Sequence, residues 1–233
     1  MHPTLGVARP APAPSRIGRL ARGAAIGGLL AVLMLVVAGR ADRPWLDACA
    51  ALIAVAALAA SAVIDPELTR ERLRAGQRGE DDVRLGAIRL LVLATYIVAL
   101  LDVGRFGWSP AMGWPLQAGA LLVVAASLAF ALWAISVNRF FVPVIRLQPD
   151  RGQHVIDAGP YARVRHPGYA GVAALMPASA IALGSWWALV PALVVATLFV
   201  ARASHEDRFL ADRLDGYAAY RARVRWRLLP GVW

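Results

Sequence analysis

The chain has 233 residues, 59% of them hydrophobic and 17% charged, with a mean hydropathy of +0.55. Its formal net charge is +10, and every basic residue other than histidine is arginine, because no lysine occurs. Apolar runs of spanning length exclude a soluble nucleic-acid binder and turn that charge toward a membrane surface. The single cysteine, Cys49, excludes an internal disulfide or a CxxC metal site and reads as a small apolar side chain in a helix.

Residues 1–22 are rich in proline and arginine and read as a cytoplasmic N-terminal tail with no cleavable signal peptide. Apolar segments follow at 23–39, 46–64, 86–103 and 113–137, so residues 23–137 read as a four-helix membrane region. Between the second and third, PELTRERLRAGQRGEDDVRL mixes charges and predicts a short surface helix. Two shorter runs, 169–183 and 186–203, meet at Gly184-Ser185 and predict a helical hairpin, with one arm that need not span fully. The tail 201–233 begins as a helix continuing the last span. The fold class is all-α, a polytopic membrane helix bundle of about five to six transmembrane helices with a C-terminal hairpin and a cytoplasmic amphipathic tail helix.

Arginine placement orients this bundle. With the N-terminus in the cytoplasm, all arginines except Arg40, Arg43, Arg89 and Arg105 fall on the cytoplasmic side. The lysine-free, alanine- and arginine-rich composition suits a high-GC bacterium. The expected location is the bacterial inner membrane, with both termini cytoplasmic and membrane lipids as surroundings. No nucleic-acid partner is expected, and the oligomeric state is not readable.

Polar chemistry gathers at that one end. The loop 138–168 contains GPYARVRHPGYAG, residues 159–171, where Pro160 and Pro167 fix the backbone and glycines permit close approach. His205, Glu206 and Asp207 stand together where the last span leaves the membrane, and adjacent acids there need a cation, an amine or hydroxyls. A metal held by His154, His166, His205 and Glu206 is a weak alternative, since neither HxxxH nor HExxH occurs, and no metal is expected. Neither GxGxxG nor a Walker loop is present.

In chain order, NRFFV from Asn138, GPYARVRHPGYAG from Gly159, HEDRFL from His205, GYAAY from Gly216 and RWRLLP from Arg225 resemble the isoprenylcysteine carboxyl methyltransferase family and the related membrane phospholipid methyltransferases. The similarity covers 138–233, and the first four spans match only in character. It implies an integral-membrane enzyme that uses S-adenosylmethionine to methylate a lipid-like or small hydrophobic acceptor entering from the bilayer, with an isoprenoid or lipid carboxylate favoured. It further implies that 138–233 is the cofactor-binding catalytic region. Glu206, Arg227 and His166 would carry the catalytic roles. His154, Gly159, Pro160, Tyr161, Arg165, His166, Pro167, Tyr169, Glu206, Tyr217 and Tyr220 would form the cofactor pocket. Where the family often has two glutamates this chain has Glu206-Asp207, the second acid one methylene shorter.

Two other readings stand beside this one. An NADPH-dependent membrane reductase of sterol-like or enone lipids would need basic contacts to a 2′-phosphate, which Arg221, Arg223 and Arg225 offer. A non-enzymatic scaffold or transporter would use the motif residues as anchors, with Arg89, Asp102 and Pro177 as its few candidates within the spans.

Overall fold

The computed structural model describes residues 15–40, 42–74, 79 and 81–233. Most of the expected tail, residues 1–14, lies outside the described residues, as do Arg78 and its neighbours 75–77 in the charged loop. Helix α1 runs Arg16–Ala38, so the helix begins before the apolar run at residue 23. Ser15 caps it, accepting from the Gly18 N–H at 3.1 Å, and Gly39 ends it in the left-handed region at φ 72°. Arg16, Arg19 and Arg22 are therefore helical. Long arginine stems follow the helix surface toward water without breaking it.

Helix α2, Pro44–Val63, starts on proline, and α3, Pro66–Leu73, starts on proline after an Asp65 cap that accepts from the Glu67 and Leu68 N–H groups. The short surface helix expected in the charged loop is α3. Helix α4, Asp82–Leu101, passes into a π-turn, Asp102–Phe106, closed by left-handed Gly107. Helix α5 is Trp114–Val137, α6 is Pro167–Leu183, α7 is Trp186–Arg213 and α8 is Tyr217–Arg223. Among the described residues the only extended pairing is one parallel bridge, Val164 with Trp226.

Five of these helices, among the described residues, are long and apolar enough to cross a membrane: α1, α2, α4 with its π-turn, α5 and α7. Helix α6 has 17 residues, about 26 Å, slightly less than the ~30 Å hydrocarbon core. Helix α7 has 28 residues, about 42 Å, and so carries its last turns beyond the core. The hairpin expected at Gly184-Ser185 is present: Gly184 ends α6 at φ 92°, and the Ser185 hydroxyl caps α7.

Without a hydrophobic drive between helices in lipid, close packing depends on small side chains. Ala38, Ala99, Ala134, Ala180, Ala188 and Ala203 are fully buried, while Leu29, Val32, Leu90, Leu122 and Val190 face outward. On α1 a Cβ at Gly27 would lie 2.8 Å from the Ala54 Cα of α2, so this crossing requires glycine.

The bundle has two chemically distinct ends. At the arginine-rich end, long-range pairs tie the loops to one another. Arg146 meets Glu71 at 2.5 Å, Arg151 meets Glu67 at 3.3 Å, and Arg72 donates to the Phe141 carbonyl at 2.9 Å. Arg202 of α7 meets Asp81 at 2.6 Å and donates to the Pro143 carbonyl. The opposite end holds exposed Trp108, Trp114, Trp186 and Trp187, an aromatic belt at the other membrane face.

Candidate functional site

The loop between α5 and α6 has little regular structure, so side chains hold its shape. Asn138 accepts from the Phe140 N–H at 2.9 Å and donates to the Tyr161 hydroxyl at 3.2 Å. Buried Gln148 donates to the Phe140 carbonyl at 2.8 Å and accepts from Arg151 at 2.6 Å. The Tyr220 hydroxyl donates to the Tyr161 carbonyl at 2.8 Å, so α8 grips the loop from outside. Gly168 opens α6 against Phe141; a Cβ there would stand 2.5 Å from the ring.

The two adjacent acids do different things. Asp207 is fully buried and accepts from Arg165 Nε at 2.7 Å and Nη2 at 2.9 Å. It also accepts from the Tyr217 hydroxyl at 3.0 Å and Arg227 Nε at 3.2 Å, and His166 Nε2 lies 3.2 Å away. Arg165 Nη1 donates to the Val224 and Arg225 carbonyls, and the Arg165 and His166 N–H groups donate to the Trp226 and Arg227 carbonyls at 2.9 Å. One carboxylate thus locks the loop, the end of α7 and the tail together. A bidentate guanidinium and a nearly complete donor set suit a buried charge.

Glu206 points elsewhere. Successive helix residues are rotated by about 100°, so Glu206 shares the stripe of Phe199, Arg202 and Leu210, while Asp207 turns away from it. That stripe forms one wall of a cavity of about 410 Å³. Glu206 is half-buried there and accepts from the Tyr169 hydroxyl at 2.5 Å. The Tyr169 ring lies 5.7 Å beneath the Arg202 guanidinium and 5.8 Å from the Phe199 ring.

The cavity has two chemical halves. His154, Tyr161, His166, Tyr217, Tyr220 and Glu206, from the loop, α8 and the emerging end of α7, give a polar and aromatic half. Leu85, Ile88 and Val92 of α4, Val172 of α6 and Phe199 of α7, at positions inside the spans, give an apolar half. Arg72, Arg89 and Phe141 lie on its wall as well. Burial pushes the Tyr161 and Tyr220 phenols upward, and burial with the Asp207 charge pushes Tyr217 further up. These tyrosines therefore act as neutral O–H donors and aromatic faces, not as phenolate bases.

Of the expected site residues, His154, Tyr161, Arg165, His166, Tyr169, Glu206, Tyr217 and Tyr220 reach the cavity wall. Gly159, Pro160, Pro167 and Arg227 do not, among the residues that line it. Gly159 and Pro160 build the 3₁₀ turn that opens the 159–171 segment, with Gly159 at φ 58°, and Pro167 starts α6. Arg227 is drawn off to Asp207 and to the Trp233 ring, 4.8 Å away, so it positions the site from behind. Arg165 reaches the wall with its guanidinium already spent on Asp207 and two carbonyls. No three His, Cys, Asp or Glu side chains among the described residues are placed to hold a metal ion.

The expected site did not include Arg72, Arg202 or the hub role of Asp207, and it gave no cavity role to Arg89 or to Phe141 of the NRFFV segment. The rotation between consecutive helix residues was the available signal for Asp207. The loop arginines depend on contacts about 70 residues apart, such as Arg72 with Phe141, and left no local signal.

Residues 112–215 match the phospholipid methyltransferase family model. That segment runs from the start of α5 through both acids and ends before α8. No curated protein sequence matches the chain. A solved structure of the eukaryotic intramembrane Ras methyltransferase ICMT, isoprenylcysteine carboxyl methyltransferase, without a monobody, superimposes with a TM-score of 0.63. It is 18% identical, and the alignment covers 92% of this chain and 77% of that one. That likeness gives the fold, and the family match gives the link to methyl transfer. Together they support an integral-membrane methyltransferase resembling ICMT and the phospholipid methyltransferases.

Proposed function

We propose that the chain uses S-adenosylmethionine to methylate a lipid-like acceptor at the arginine-rich end of the bundle. The arginine asymmetry supports a cytoplasmic placing of that end, and the lysine-free, alanine- and arginine-rich composition supports a bacterial inner membrane. The observation carrying the reading is the division of the cavity: the Glu206 carboxylate and a polar, aromatic wall on one side, helix-borne apolar residues on the other. A volume of about 410 Å³ suits a small-molecule site.

The residues present fit the donor. Glu206 would accept from ribose hydroxyls or an amino group. Tyr161, Tyr217, Tyr220 and His154 offer faces and donors, and aromatic faces attract a sulfonium cation. When bound, S-adenosylmethionine supplies an electrophilic methyl group, and transfer is an in-line displacement that depends mainly on placement. His166, held from behind by Asp207 and Tyr217, fixes the shape of the polar wall. Arg227 acts through Asp207 as a positioning residue.

The apolar half would receive the acceptor. Ile88, Val92, Val172 and Phe199 fit a hydrocarbon chain, and Arg89 on α4 stands where an anionic head would arrive. This favours a carboxylate of an isoprenoid or lipid over an amine. The dinucleotide reading loses its support: Arg221, Arg223 and Arg225 are absent from the cavity wall, and Arg223 pairs with Asp157 at 2.7 Å.

The test is calorimetric binding of S-adenosylhomocysteine to the detergent-purified chain, with NADPH titrated in parallel. Saturable S-adenosylhomocysteine binding that Glu206→Gln abolishes is the expected result. NADPH binding instead would transfer the site to reductase chemistry, and unchanged affinity in Glu206→Gln would remove Glu206 from it.

A further inference from the structure

A second concavity lies outside the site just described. It is a groove of about 280 Å³ between α4 and α7, at the arginine-rich end. The two helices run antiparallel, so the groove changes character along its length. Toward the bundle end it is lined by Arg84 and His205, and toward the membrane centre by Ala87, Ile88, Leu198 and Ala201.

The polar half is unfinished. His205 Nε2 is buried and has no hydrogen-bond partner among the described residues. Buried ring nitrogens are normally paired, because facing acyl chains with an unmet N–H is costly. Arg84 is exposed and forms no ion pair among the described residues. The other charges on the wall, Asp81 and Arg202, neutralise each other through a two-point contact at 2.6 and 3.2 Å. Among the described residues that line it, the groove therefore has one cation in excess at its polar end and an uncharged apolar end. Arg202 and Ile88 also line the main cavity, so this groove backs the wall that carries Tyr169 and Glu206.

We propose that this groove binds one anionic phospholipid, with the phosphate ester at Arg84 and His205 and an acyl chain along Ala87, Ile88, Leu198 and Ala201. A phosphate presents several acceptor oxygens on one centre, so it can take the His205 N–H and the Arg84 fork together. A zwitterionic headgroup would bring a second cation to an end that already has one uncompensated. A free phosphate would leave the apolar half uncovered.

The test is native mass spectrometry of the full chain released from detergent containing equal amounts of phosphatidylglycerol and phosphatidylcholine. The wild-type chain should retain one phosphatidylglycerol. Arg84→Gln with His205→Gln should lower that retention about tenfold, as expected for losing charge-assisted contacts. The control Arg225→Gln, in the exposed tail, should retain it. Arg84→Gln alone, at an exposed side chain, carries the test if the double variant does not fold. Equal retention of both lipids, or unchanged retention in the variants, overturns the proposal. A thermal shift with inorganic phosphate alone, matching that with phosphatidylglycerol, would assign the groove to a soluble phosphate and overturn it too. Neither readout depends on methyl transfer.

Discussion

The two ends of this bundle each enclose a fully buried aspartate, and they satisfy it by different means. At the arginine-rich end Asp207 is surrounded by Arg165, Arg227, His166 and Tyr217. At the opposite end Asp102 accepts from the Ser109 N–H at 2.8 Å and hydroxyl at 2.5 Å, and from the Ser185 hydroxyl at 2.6 Å. Ser109 in turn accepts from the Trp186 N–H, and Ser185 from the Ala188 N–H. Both knots join a loop to the start or end of a helix. The Asp102 knot ties the turn after α4 to the cap of α7 and closes that end. The Asp207 knot anchors the motif loop and the tail from behind, which leaves Glu206 available to a ligand. The contrast recurs between neighbouring acids: Asp207 is enclosed by protein donors, while Glu206 lines the cavity.

The sharpest way to break the comparison is Asp207→Asn. The substitution keeps the shape and removes the charge, leaving three arginines, Arg165, Arg227 and Arg221, facing a neutral amide. Breaking a buried ion pair in this way costs about 3–5 kcal/mol. A thermal melt should show that loss, and S-adenosylhomocysteine binding should fail with it, because Arg165, His166 and the tail lose their common anchor. A melting temperature equal to wild type would mean that charge does not hold this end together.

The same experiment at the other end should separate stability from binding. Asp102→Ala orphans an N–H and two hydroxyls, at a cost of about 1–3 kcal/mol. The cavity is built at the arginine-rich end, so S-adenosylhomocysteine affinity should stay within about twofold, the near-additive behaviour of distant sites. An affinity loss as large as that of Asp207→Asn would show that the two ends are coupled, for instance through α7, which touches both knots.

How much of this was readable beforehand follows from which forces are local. The spans, the hairpin at Gly184-Ser185 and the continuation of α7 were legible because hydropathy and helix stops are local signals. Helix α1 starts at Arg16, seven residues before the apolar run at 23, because arginines on a helix surface lower the local hydropathy without breaking the helix. Glu206, His166 and Tyr169 were legible through motif resemblance and do reach the cavity. Arg227 carried the same resemblance but sits behind Asp207, since tail pairing to the loop is set by contacts about 60 residues apart, such as Arg165 with Val224. Arg89 looked like a polar residue near the start of a span. Only the packing of α4 beside α7 puts it on the cavity wall.

The smallest expected effect lies inside the site. Tyr169→Phe removes one hydroxyl and leaves the ring between Phe199 and Arg202. Its bond to Glu206 is short, 2.5 Å, and goes to a carboxylate. Without a ligand that bond holds Glu206 against α6. With a ligand, Glu206 would divide its lone pairs between Tyr169 and the incoming donors. The substitution should therefore weaken S-adenosylhomocysteine binding by about 0.5–1.5 kcal/mol, or roughly two- to tenfold, while the fold stays intact. A loss as deep as that of Glu206→Gln would mean that Tyr169 touches the ligand itself. Unchanged affinity would mean that Glu206 lets go of Tyr169 when the ligand binds. In either case the orienting role assigned to this hydroxyl would move, while the division between Glu206 and Asp207 would stand on the outcome at Asp207.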